Sequence, residues 1–162
     1  YGMTGGQMAA TTPHLARSTT SPMGNYEYPF NLPHIIRALG ATFVSRWSTL
    51  HVRQFTDCIT DAMRHDGFSF VEVVSPCPSG YGKRNEFSDG ISHMRYLRDH
   101  AVVDHDADLA SLDIDFSGNK PVVLGNFVKD DKPSYLQVKN EVLAQQGVDR
   151  DFKLRRSQEG VM

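Results

Sequence analysis

The sequence predicts an α/β protein of three layers, with helices on both faces of a mostly parallel sheet. Three observations lead there. The runs 41–44, 68–74 and 121–128 are apolar without the strict alternation of a half-wet strand, which is the pattern of strands buried on both faces. Segments with apolar residues three and four apart lie between them. The order helix, strand, helix, strand leaves a connection long enough for a right-handed βαβ crossover.

The elements follow in order. Residues up to Tyr28 mix Gly, Thr, Ser and Pro without a lasting period and read as one long shaped loop. Loops of that length in a compact domain are usually functional or disordered. Asn31 is a helix cap with Pro33 in the first turn, where a missing N–H costs nothing; Ile35, Ile36 and Leu39 form the stripe and Gly40 the stop. Ala41 to Val44 is a short buried strand that Arg46 ends. Ser48 is the expected cap of a second helix carrying Val52, Phe55, Ile59 and Met63, with Gly67 as its stop. Phe68 to Val74 is a strand leading into Ser75-Pro76-Cys77-Pro78. A polar turn region from Gly80 to Asp89 precedes a short helix with Ile91, Met94 and Leu97. The acidic stretch Asp104 to Asp115 lacks the central Gly and closing Glu of a calcium loop and reads as a solvated connection. A strand at 121–128 and a helix opened by Pro133, bearing Tyr135, Val138 and Val142 and closed by Gly147, complete the pattern. Residues 148–162 form a charged tail without an apolar face, read as surface or partner-facing; residues 1–147 are the domain.

Composition limits the function. The 162 residues carry 17 basic and 19 acidic side chains, and 40% are hydrophobic, enough for one domain's core. A net charge of -2 supplies no field for a phosphate backbone, which argues against nucleic acid. No stretch approaches the roughly 18 apolar residues of a membrane span, and the opening is no signal peptide, so a cytoplasmic protein is expected. Two cysteines are too few for a disulfide framework. The chain opens on Tyr1 inside what reads as a functional loop, which suggests the carboxyl part of a longer or divided protein.

That loop, Tyr1-Gly2-Met3-Thr4-Gly5-Gly6-Gln7, combines three glycines with a hydroxyl and an amide. Glycine permits positive φ and close backbone approach, and consecutive N–H groups can form an anion nest. The spacing is not that of a dinucleotide fingerprint. Ligands of such a sheet sit beyond the carboxyl ends of its strands, here residues 75–82.

The loop, followed by Thr11-Thr12-Pro13, resembles the thiamine-diphosphate-binding loop of the beta subunit of 2-oxoacid:ferredoxin oxidoreductases. The resemblance continues through Gly24 to Phe30, Gly40 to Arg46, His65 to Pro78 and Gly125 to Val128, covering residues 1 to 147. It implies the three-layer thiamine-diphosphate-binding fold, present here as a partial domain. It also implies that Gly2 and Met3 lie beside the thiazolium end of the cofactor, Met3 as an apolar support, and that Thr4 bonds near the diphosphate and its Mg2+. Gly5 stands where some relatives carry a Lys near the substrate, which leaves substrate preference open. The family's magnesium ligands, an Asp in Gly-Asp-Gly and an Asn before the Tyr-Gly pair, have no counterpart in these residues. The expectation is therefore that this chain alone binds the cofactor weakly.

A single cysteine is by default a buried inert thiol. The resemblance changes this for Cys77, whose Ser-Pro-Cys position is the fourth ligand of a [4Fe–4S] cluster. Cys58, between Phe55 and Ile59, reads as helix packing, and the seven histidines show no metal spacing and read as surface or packing residues. Lys83 and Arg84 form either a solvated turn or a cationic pair near the cluster or an acidic electron carrier. Arg46 either positions an anion or forms a salt bridge. The activity implied is coenzyme-A-dependent oxidative decarboxylation of a 2-oxoacid, with electrons passing to ferredoxin and with an alpha subunit and the amino-terminal part of the beta subunit as partners. The match around His65 to Pro78 and Gly82-Lys83-Arg84-Asn85 favours the 2-oxoglutarate type. The alternatives are a pyruvate or branched-chain member and a non-catalytic module of the same fold.

Overall fold

The computed structural model describes residues 1, 3–87 and 89–147. The elements run helix α1 (Leu32–Ala38), strand β1 (Phe43–Ser48), helix α2 (Val52–Arg64), strand β2 (Ser69–Val74), helix α3 (Gly90–His100), strands β3 (Ala101–Val103) and β4 (Val122–Lys129), and helix α4 (Tyr135–Gln145). The strands form one sheet in the order β2-β1-β4-β3. Two of its three pairings are parallel, β1 with β2 and β3 with β4. The central pairing of β1 with β4 is antiparallel, with a register shift between Val44 and Ser45.

The central position of β1 shows in its burial, all six residues being inaccessible. Alternation along β1 sends its side chains to two different layers. Phe43 and Trp47 join Cys58 of α2 and Leu97 of α3 in the larger core, against which Phe55 and Ala62 also pack. Ser45 Oγ lies 2.9 Å from Cys58 Sγ on the same face. Val44 joins Ala41 and Val128 in a second core, covered by Ile36 of α1 and by Leu109. Helices thus cover both faces of the sheet, as the sequence predicts.

Local signals account for the helix starts. Asn31 Oδ1 accepts from His34 N at 3.3 Å, Pro33 sits in the first turn, and Gly40 (φ +97°) follows the helix. Asp89 caps α3, its carboxylate accepting from Ser92 N at 2.6 Å. Ser134, one residue beyond Pro133, caps α4 in a reciprocal pair with Gln137.

The structure revises several sequence expectations. Arg46 lies inside β1, which continues to Ser48 instead of ending at Val44. Ser48 is therefore a strand residue, and His51 occupies the cap position of α2, with Ser48 Oγ 2.8 Å from His51 Nδ1. On α2 the buried side chain is Cys58, while Val52 and Met63 are exposed, so the buried face is rotated from the expected one. Helix α2 ends at Arg64, before Gly67. Strand β3 follows α3 directly and has no counterpart in the sequence reading, three residues being too few for a period. The stripe of Tyr135, Val138 and Val142 on α4 is exposed. The tail 148–162 lies outside the described residues.

Among the described residues no helix is long and apolar enough to cross a membrane.

Candidate cofactor site

Beyond the carboxyl end of β2 the chain turns through Ser75-Pro76-Cys77-Pro78, and Cys77 O accepts hydrogen bonds from Tyr81 N at 3.2 Å and Gly82 N at 2.8 Å. Gly82 leaves no room for a side chain, because a Cβ there would lie 2.6 Å from Phe87 O. This tight turn holds Cys77 half-buried at the edge of a cavity of about 210 Å³, lined by Tyr1, Glu72, Ser75, Cys77, Tyr81 and His93 among others.

The opening loop reaches the same cavity from the other side. The Tyr1 hydroxyl bonds Thr12 Oγ1, which also accepts from Ala9 N at 2.9 Å. Burial pushes the Tyr1 phenol up, the Thr12 hydrogen bond opposes this, and proximity to the Cys77 thiol adds to the rise. The glycines take the positive φ that the loop needs, +78° at Gly5 and +85° at Gly6. Thr19 clamps the loop, its Oγ1 donating to Gly5 O at 2.7 Å and its N–H donating to Gly6 O at 2.7 Å. Asn25, almost fully buried, donates to Thr12 O at 2.8 Å and so ties the far part of the loop to the near part. The first 28 residues are accordingly a shaped loop.

The predicted residues are thus placed as follows. Tyr1 and Cys77 line one cavity. Met3, Thr4 and Gly5 stand on the outer side of the loop, and Met3 is wholly exposed. Thr4 Oγ1 donates to Tyr1 O at 3.3 Å. Gly2 lies outside the described residues. Cys58 is buried against Ser45, as expected of packing, and burial pushes its thiol up. The Arg46 charge is spent within the fold: its Nε lies 2.6 Å from Glu72 Oε2 and both side chains are largely inaccessible. Lys83 and Arg84 sit in an exposed turn after Gly82.

His93 is the residue that sequence reasoning passed over. It is 3% exposed, stacks on Phe87 at 4.3 Å and meets Phe116 edge-on, and neither ring nitrogen has a hydrogen-bond partner among the described residues. Burial lowers its proton affinity. The usable signal was the spacing of His93 and Leu97, four residues apart on one helix face. The apolar residues Ile91 and Met94 drew the stripe elsewhere, and Ile91 proves exposed. Elsewhere His65 Nε2 lies 2.8 Å from Thr42 Oγ1 and His14 stacks on Tyr28.

The comparisons bear on this geometry. Residues 1–73 match the family described as thiamine pyrophosphate enzyme, C-terminal TPP binding domain. The chain is 34% identical over 138 residues to the 2-oxoglutarate synthase subunit KorB of Methanocaldococcus jannaschii, covering 85% of this chain and 50% of that one. It is 44% identical over 95 residues to the subunit of the same name from Archaeoglobus fulgidus, covering 59% of this chain and 35% of the relative. A solved 2-oxoglutarate:ferredoxin oxidoreductase from Magnetococcus marinus, with 2-oxoglutarate, coenzyme A and succinyl-CoA bound, aligns with a TM-score of 0.69 at 26% identity, over 93% of this chain and 52% of that chain. The chain thus spans half the length, or less, of the curated relatives it matches here. Fold and loop together define a class, the thiamine-diphosphate-binding fold, of which this chain carries part. Within that class it resembles the beta subunit of the 2-oxoacid:ferredoxin oxidoreductases, and among these the 2-oxoglutarate type.

Proposed function

We propose that this chain is the carboxyl-terminal part of the beta subunit of a cytoplasmic 2-oxoglutarate:ferredoxin oxidoreductase, which converts the acid, coenzyme A and oxidised ferredoxin to the acyl thioester, carbon dioxide and reduced ferredoxin. The observation that carries it is the meeting of Tyr1, Thr11 and Pro13 of the opening loop with the half-buried Cys77 at one cavity beyond β2. Residues 1–147 are the domain part of that subunit. An alpha subunit, the amino-terminal part of the beta subunit and ferredoxin complete the system.

The residues present supply part of what the groups of this reading require. Thiamine diphosphate with Mg2+ supplies the electron sink for decarboxylation, and a [4Fe–4S] cluster takes the electrons singly. For the first, the loop offers a clamped, positive-φ backbone at Gly5 and Gly6, with Met3 and Thr4 on its exposed outer side. The outward stance of Met3 and Thr4 suits a ligand held between this chain and the rest of the protein. For the second, Cys77 offers one half-buried thiol at the edge of the cavity beyond β2. A pyruvate-specific member is the competing reading, supported by 32% identity over 87 residues to the pyruvate synthase subunit PorB of Methanothermobacter thermautotrophicus. The shorter span of that match favours 2-oxoglutarate.

The test uses the complete assembly purified without oxygen. Viologen reduction is followed with 2-oxoglutarate and with pyruvate, each with and without coenzyme A. Reduction with 2-oxoglutarate that requires coenzyme A is expected. Reduction by pyruvate alone transfers the assignment to the competing type, and no reduction with either acid, in an assembly that holds both cofactors, overturns it.

A further inference from the structure

A carboxamide side chain carries one acceptor oxygen and two N–H donors, and Asn85 uses all of them. Its Oδ1 accepts from Arg17 N at 2.6 Å, and its Nδ2 donates to Arg17 O at 2.8 Å and to Tyr81 O at 2.9 Å. Both main-chain groups of Arg17 are thus paired, as a neighbouring strand would pair them, by a residue 68 positions away. Aspartate has no donor for two carbonyl oxygens, and glutamine carries its amide one methylene farther out. The ends of this tether lie in the two segments that meet at the candidate site. Asn85 follows the turn Gly82–Arg84, and the N–H groups of Tyr81 and Gly82 hold the carbonyl of Cys77. Arg17 stands two residues before Thr19, which holds the carbonyls of Gly5 and Gly6. Ala16 is buried with Tyr81 and Phe87, and Tyr1 and Cys77 pack against that cluster. Apolar contact brings the segments together without direction, whereas hydrogen bonds to main-chain atoms fix their register. Leu15 (φ +62°) and Glu86 (φ +68°), one in each segment, are the non-glycine positions of positive φ among the described residues, a conformation that persists only where surrounding contacts impose it.

We propose that Asn85 is a positioning residue, which ties the opening loop to the Cys77 turn through the main chain of Arg17 and so holds Gly5 and Gly6 in the shape that thiamine diphosphate meets. The inference rests on the reading of the opening loop as part of that cofactor's site. A ligand that meets main-chain atoms depends on where the backbone lies, because no rotamer change can re-aim them. A loop that also visits other shapes binds with an affinity reduced by the fraction of time spent in the right one. Asn85 touches no reacting group, and its effect passes from Arg17 to Thr19 and from Thr19 to the two glycine carbonyls. The side chain of Arg17 takes no part, since both of the bonds to Asn85 use its main-chain atoms.

The experiment is a calorimetric titration of the complete anaerobic assembly, stripped of thiamine diphosphate, with thiamine diphosphate and Mg2+. Asn85→Asp keeps the shape and removes both donors, and Asn85→Leu removes all three bonds without adding a charge. Each is expected to raise the dissociation constant about tenfold, the effect of a loop rightly held in about one molecule in ten. Turnover at saturating thiamine diphosphate is expected to stay near that of the unaltered assembly, because the ligand then selects the right shape. Arg17→Ala, which keeps the main chain, is expected to leave the constant unchanged. A second measurement needs no variant. Coupling between tether and ligand is reciprocal, so saturation with thiamine diphosphate is expected to slow hydrogen exchange at the Arg17 amide of the unaltered assembly, read by mass spectrometry. An unchanged dissociation constant in Asn85→Leu, a rise confined to Asn85→Asp, an equal rise in Arg17→Ala, a turnover that saturation does not restore, or Arg17 exchange indifferent to the ligand overturns the role of Asn85 and leaves the proposed function standing. An unaltered assembly that binds no thiamine diphosphate overturns that function and this inference with it.

Discussion

Arg46 and Glu72 form an ion pair in the middle of the sheet, and its removal offers a sharp test of how the site is held. The two residues face each other across the parallel β1–β2 pairing, with Nε and Oε2 2.6 Å apart. Their side chains are only 2% and 12% exposed, so solvent screens the pair little. At an effective dielectric of about 20 the attraction at this separation is about 6 kcal/mol, and desolvation of each ion cancels several kcal/mol of it. The pair as a whole is therefore near neutral, whereas either partner left alone is an uncompensated buried charge costing about 3–5 kcal/mol. Glu72→Leu and Arg46→Met are each expected to destabilise by that amount. The double variant is expected to be less destabilised than the sum by at least about 2 kcal/mol. Urea unfolding of the chain, read by the fluorescence of Trp47, measures this well, since Trp47 is the sole tryptophan and lies beside Arg46 in β1, buried. Single variants costing under about 1 kcal/mol, or strictly additive costs, would refute the reasoning and indicate that water reaches the pair.

Three further outcomes follow from the same structure. Gly6→Ala forces an L-residue to φ +85° and brings a Cβ to 2.5 Å from Thr19 Oγ1, whereas Gly5→Ala at φ +78° meets nothing within 4 Å; the shared backbone strain is about 1–2 kcal/mol, so urea midpoints should fall for both and further for Gly6→Ala. Cys58, buried and with its thiol pushed up by burial, is expected to resist alkylation in the folded chain at mildly alkaline pH, while in urea it reacts freely; mass spectrometry of the modified chain reads the difference. His93 is held below its usual value of 6.5 by burial, so between the depressed value and 6.5 the unfolded chain binds a proton that the folded one refuses. Stability is then complete above 6.5 and falls as the pH drops below it, and the urea midpoints of His93→Gln at about pH 7.5 and about pH 5.5 should differ less than those of the unaltered chain.

Much of the fold was legible along the chain. Asn31 with Pro33 marks a helix start through chemistry that acts within four residues, and the apolar run 68–74 marks a strand, although β2 lies at the sheet's edge and is only partly buried. Ordered segments from Tyr1 to Val128 also identified the resemblance, because several matches at fixed intervals exclude chance where one glycine turn does not. Where the reading failed, the deciding partner was remote in sequence. Ser48 has the chemistry of a cap, yet β2 keeps it in a strand by pairing with Val74. Val52 and Met63 fit the period of α2, but the face that turns inward is the one that meets Ser45, and so Cys58 is buried in their place.

The amino-acid sequence by itself determined the layer order, the helix and strand types and the glycine positions of the opening loop, because caps, periods and φ preferences are properties of neighbours in the chain. Only the tertiary structure decided that β1 and β4 run antiparallel, that the Arg46 charge is spent on Glu72, and that Tyr1, Cys77 and His93 share one cavity. Those outcomes join residues from 16 to 92 positions apart in the numbering, and a pairing at such a distance is set by which surfaces bury each other when the sheet and its helices close.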